Sequence, residues 1–66
     1  MTARPDVRVE DHGTICLVRP MRDGALAWLK VHTDGTWFGG AVAVEARYLF
    51  DLVAALREAG FTVEAA

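Results

Sequence analysis

Two histidines, His12 and His32, and a single cysteine, Cys16, are the side chains here whose chemistry works near neutral pH. Imidazole titrates close to 7 and ligates zinc, and a thiolate is a strong nucleophile. Both histidines fall in stretches that read as loops, and neither has a carboxylate or thiol at metal-ligand spacing. Cys16 sits in the apolar run Ile15-Cys16-Leu17-Val18, where desolvation raises a thiol pKa and makes it inert. Asp11 beside His12, or Glu45 with Asp51, could supply a base, but such pairs occur in any small protein. No Gly-rich phosphate loop and no Ser/His/Asp set is present. The expectation is a chain with no catalytic residues, no metal site and no cofactor.

The stretch with binding character is Thr36-Trp37-Phe38-Gly39-Gly40, followed by Glu45, Arg47 and Tyr48. Trp, Tyr and Arg dominate the energetics of protein interfaces, and adjacent glycines in a strand mark a bulge or a close approach by another backbone. Trp37, Phe38, Gly39, Gly40, Glu45, Arg47 and Tyr48 are therefore the candidate partner-binding residues. The plainer alternative is that Trp37 and Phe38 close the end of a small core. Arg47 and Asp51 are spaced for an i,i+4 pair on a helix.

These residues need a frame. Residues 1–6 read as a loose lead-in. Val7-Arg8-Val9-Glu10 alternates apolar and charged, as an edge strand does, and Asp11-His12-Gly13 supplies a turn. Thr14 to Arg19 is apolar on both faces at its centre and reads as a central strand that Pro20 ends. A helix is predicted over 23–31 with Ala25, Leu26, Trp28 and Leu29 inward, then a loop over 32–36 with Asp34-Gly35 as its turn signal. A third strand covers 41–44. The second helix, over 46–59, has Leu49, Leu52, Val53 and Leu56 at helical spacing, and Gly60 with Phe61 suits a Schellman end. Residues 61–64 read as the last strand.

The order is β-β-α-β-α-β. Right-handed crossovers then predict a two-layer α+β sandwich of about four strands with two helices on one face. Either Cys16 and Val18, or Ile15 and Leu17, are left on the uncovered face.

At 66 residues there is room for one domain, 1–66, and a chain this size removes only about 60% of its unfolded surface from water. Yet 53% of the residues are apolar, and the mean hydropathy is +0.22. One cysteine permits no internal disulfide. Association, most simply as a homodimer, is the remaining way to hide apolar surface. Nine acidic residues against seven basic ones, without a basic cluster, argue against nucleic acid. The opening residues lack the apolar core of a signal peptide, and no apolar stretch approaches the ~20 residues that span a bilayer. The expected address is the cytoplasm.

Thr36-Trp37-Phe38-Gly39-Gly40-Ala41, with Val44-Glu45 and Arg47-Tyr48 and the earlier Val7-Arg8-Val9-Glu10-Asp11-His12-Gly13-Thr14, resembles small proteins of bacterial phages, prophages and plasmids. The likeness covers most of the chain. It carries no known activity, so no catalytic or binding residue follows from it. It implies a habit of binding and blocking a host protein, as anti-CRISPR inhibitors do. The expected function is thus a non-catalytic protein–protein interaction module. The alternatives are a nucleic-acid-binding regulator of a mobile element, or a small-molecule-binding or enzymatic subunit with its pocket at a dimer interface.

Overall fold

The computed structural model describes residues 4–65. The elements are β1 (Val7–His12), β2 (Ile15–Pro20), α1 (Asp23–His32), β3 (Trp37–Phe38), β4 (Ala41–Glu45), α2 (Ala46–Glu58) and β5 (Val63–Ala65). They form an α+β fold with a five-stranded mixed sheet of order β3-β4-β2-β1-β5. The additional strand, relative to the four expected, is the pair Trp37–Phe38.

Strand directions explain the layering. β1 and β4 each run antiparallel to β2, and β3 antiparallel to β4, so β3 is parallel to β2. β5 is parallel to β1, and hence to β4. Both helices therefore join parallel strands. The β2-α1-β3 crossover passes over β4, and β4-α2-β5 passes over β2 and β1 in the opposite direction from an opposite strand sense. Two such crossovers share one hand only if both helices lie on the same face, which is the arrangement the right-handed rule selects.

That face holds the core: Val7 and Val9 of β1, Cys16 and Val18 of β2, and Val42 of β4 pack with Ala25 and Leu29 of α1 and Leu56 of α2. The register Val9 to Val18 and Val18 to Val42 places these side chains in line. Trp28, Trp37, Leu49, Leu52, Val53 and Phe61 close the rim. Cys16 and Val18 thus lie under the helices, and alternation puts Ile15 and Leu17 on the bare face.

The turns show which glycines are indispensable. Strand β1 runs on through His12, and the turn is Gly13-Thr14, with Gly13 at φ +90 and its N–H donating to Asp11 Oδ1 at 2.9 Å. Gly39 and Gly40, at φ +53 and +83, form the two-residue connection between Phe38 and Ala41. Positive φ at both central positions is what a type I′ hairpin demands. The glycine pair is therefore neither a bulge nor a point of close approach, and a Cβ at either residue would meet nothing within 4 Å. At the end of α2 the Phe61 N–H donates to the Leu56 carbonyl and the Gly60 N–H to the Arg57 carbonyl, both at 3.0 Å, completing the Schellman motif.

The lead-in proves to be anchored where it is described. Asp6 donates its N–H to the Thr62 carbonyl at 3.1 Å, accepts from the Thr62 N–H at 2.8 Å, and pairs with Arg22 at 2.8 Å. Its own carbonyl accepts from Met21 at 2.7 Å. One residue thus ties the start of β1 to the entries of α1 and β5. Met1, Thr2 and Ala3 lie outside the described residues.

The Thr62 N–H holds the Asp6 carboxyl below its ordinary pKa; burial opposes this, and the Thr62 hydroxyl and Arg22 reinforce it. A carboxyl with a depressed folded pKa contributes stability above its unfolded pKa, near 3.9, and loses it as pH falls through the lower folded value. Acid titration followed by circular dichroism should show that loss below about pH 4. Asp6→Asn should be less stable at neutral pH and should lose less on acidification; an unchanged acid limb would remove Asp6 as its origin.

Candidate functional site

The structure divides the candidate residues between the two ends of β4. Trp37, Phe38, Gly39 and Gly40 occupy the hairpin end, and Glu45, Arg47 and Tyr48 the junction with α2. Ala41 and Glu45 are roughly 14 Å apart at ~3.4 Å per strand residue, so the seven do not form one patch.

At the hairpin, neighbouring residues face opposite sides of the sheet. Trp37 pairs with Val42 and packs against the core rim, with Lys30 Nζ 6.0 Å from its ring centroid. Phe38 pairs with Ala41 on the bare face and is 57% exposed. Trp37 is thus a packing residue and Phe38 a surface one.

The rest of the bare face is mostly charge. Arg8 pairs with Glu64 at 3.2 Å, and Glu10 with Arg19 at 3.4 Å and His12 at 3.5 Å. Arg19 Nη1 also donates to the Gly39 carbonyl at 3.0 Å, which fastens the hairpin to β2. Ile15 and the half-buried Leu17 and Ala43 are its apolar part.

At the other end, β4 passes into α2 without a loop. The Ala46 N–H donates to the Thr14 carbonyl at 2.8 Å, holding the helix start against the β1-β2 turn. Arg47 pairs with Glu45 at 3.0 Å and lies over the Tyr48 ring at 4.8 Å. Its partner is therefore the residue that precedes the helix, in place of Asp51 one turn along. Tyr48 is 53% exposed.

Beside Tyr48 is an open cleft of about 470 Å³ between the end of α1, the loop after it, β4 and α2. His32, Asp34, Glu45 and Tyr48 line it, over Val44 and Leu52. Both histidines thus belong to regular elements, His12 ending β1 and His32 ending α1. His32 stacks on Trp28 with ring centroids 4.0 Å apart, and its Nδ1 lies 2.8 Å from the Trp28 carbonyl. A carbonyl can only accept, so Nδ1 carries the proton and neutral His32 keeps Nε2 as an acceptor. Among the described residues no three His, Cys, Asp or Glu side chains are grouped as metal ligands.

Sequence reasoning missed Phe50 and Val31, which are 82% and 79% exposed. The signal was available: at 100° per residue Phe50 falls outside the arc of Leu49, Leu52, Val53 and Leu56, and Val31 lies about 200° from Leu29. No helix is long and apolar enough to cross a membrane among the described residues. No protein-family model matches the chain, and neither the curated proteins nor the solved structures contain a match to it.

Proposed function

We propose that this chain is a non-catalytic protein–protein interaction module of the cytoplasm that works as a homodimer. The observation that carries the reading is the exposure of Val31, Phe38, Tyr48 and Phe50, each more than half accessible, around a core that is already closed without them. Aromatic side chains held outside a packed core on regular elements are suited to fill pockets on another protein. Tyr48 is further suited to this by the Arg47 guanidinium stacked on its ring.

Arg8, Arg19, Arg22 and Arg47 are each paired with a carboxylate, which supports a protein partner over nucleic acid. We further propose, following the expected likeness to mobile-element proteins, that the target of the dimer is a host protein.

Sedimentation velocity is the direct test. The wild-type chain should sediment as a dimer at micromolar concentration, and Phe50→Ser should shift it toward the protomer. The substitution removes an exposed side chain, so melting should change little, within about 0.5 kcal/mol. A folded lone protomer at all accessible concentrations would end the dimer reading.

A further inference from the structure

We infer that the dimer closes through the outer faces of α1 and α2, each helix lying antiparallel against the same helix of a second copy. The inference rests on the dimer reading above and deepens it by naming the surface.

The charges sort by layer. On the bare sheet face they are answered within the protomer, Arg8 by Glu64, and Glu10 by Arg19 and His12. On the helix layer Asp23, Lys30, Arg57 and Glu58 enter no ion pair among the described residues. The two most exposed large apolar side chains, Phe50 at 82% and Val31 at 79%, belong to that layer as well. A second copy therefore finds both unanswered charge and apolar surface on the helices, and little of either on the sheet.

The spacing on α1 is complementary to itself. Ala27 is two residues from each of the buried Ala25 and Leu29, hence about 160° around the helix from both, and points straight outward. A two-fold axis through Ala27, perpendicular to the helix, sets residues before it against residues after it and keeps each flank of the helix against the same flank of the partner. Asp23 and Lys30, seven apart, share one flank, so Asp23 meets the partner's Lys30 with a height difference of about 1.5 Å. Gly24 and Val31 share the other, and the glycine leaves room for the partner's Val31. Each contact occurs twice, and the antiparallel helix dipoles reinforce the pairing.

The second helix repeats the pattern about Ala54. Phe50 and Arg57 share a flank, which places the partner's Arg57 guanidinium on the Phe50 ring. The other flank brings Asp51 near the partner's Glu58, and Arg47, a turn from both, supplies the countercharge. One axis serves both helices. They run antiparallel, with Gly24 against Phe61 at one end and His32 and Tyr48 at the same cleft at the other. Ala27 is five residues from His32 and Ala54 six from Tyr48, so the two crossing points stand at nearly one height. A second copy is the occupant that fits, because each half of the pattern is the complement of the other half. Phe38 and the bare sheet face stay uncovered for the host protein.

Ala27→Arg tests the axis. It sets two guanidinium groups against each other at the crossing, on an exposed position where arginine suits a helix, so melting stays as in the wild type. Sedimentation should show association weakened at least about a hundredfold, as like charges face to face require. Phe38→Ser, on the other layer, should leave the dimer as it is. Carbodiimide coupling reads the pairing directly, because Lys30 is the only lysine. In a mixture of isotope-labelled and unlabelled chain, Lys30 of one copy should be joined to Asp23 of the other. A wild-type chain that stays a protomer ends the dimer reading and this surface with it. A wild-type dimer that survives Ala27→Arg, that Phe38→Ser dissociates, or in which Lys30 couples only within its own copy overturns this surface and leaves the dimer standing.

Discussion

Leu56→Ala should leave most of the chain unfolded at room temperature. Leu56 is fully buried and is the one residue of α2 that is. Removing a buried leucine side chain costs about 2–5 kcal/mol, and a single core in a domain of this size rarely supplies more than about 3–5 kcal/mol. Leu49, Leu52 and Val53 are only partly buried, so they cannot hold α2 on the sheet once the anchor is cut. Urea unfolding followed by circular dichroism gives the comparison. Leu52→Ala should lose roughly half as much as Leu56→Ala on the same area scale. Equal losses at the two positions would mean that α2 is held by its whole stripe.

Gly35→Ala should be the most damaging change outside the core. A Cβ on Gly35 would collide with the Ala43 carbonyl and stand 2.9 Å from Val42 Cγ2. The carbonyl belongs to β4, paired with β2 at Ala43, so it cannot retreat without breaking the sheet. The next residue, Thr36, accepts the Ala43 N–H at 2.8 Å, and the added methyl would force that bond apart. The cost of such overpacking is about 1–3 kcal/mol. Hydrogen exchange should show it first at the Ala43 amide. If that amide stays protected and the urea midpoint holds, the loop has room that the geometry denies.

Much of the frame could be read from residue types. The leucine spacing and the Gly60-Phe61 pair define α2 and its stop, and the alternation of Val7 and Val9 with Arg8 and Glu10 defines the covered and bare faces of β1. What escaped was set by contacts between distant residues. Trp37–Phe38 is too short to show a period and becomes a strand only because Gly39-Gly40 folds it back on β4. Asp34-Gly35 reads as turn chemistry, yet Gly35 is required by the nearness of β4. Asp6 looks like lead-in because its partner, Thr62, is 56 residues away. The candidate surface was half legible: residue types singled out Tyr48, but only the fold brings His32 and Asp34 next to it.

The pairing of β5 with β1 has a consequence for chains cut short. The first strand made is bordered on one side by the last, with Val7 beside Val63 and Val9 beside Ala65. A product ending before Val63 would keep the β1-β2 hairpin but leave the outer rim of β1 as a row of unanswered amides and carbonyls flanked by two valines. Such a rim recruits other chains into intermolecular sheets. Proteolytic trimming of this tail should therefore show itself as precipitation before any loss of helix is measured.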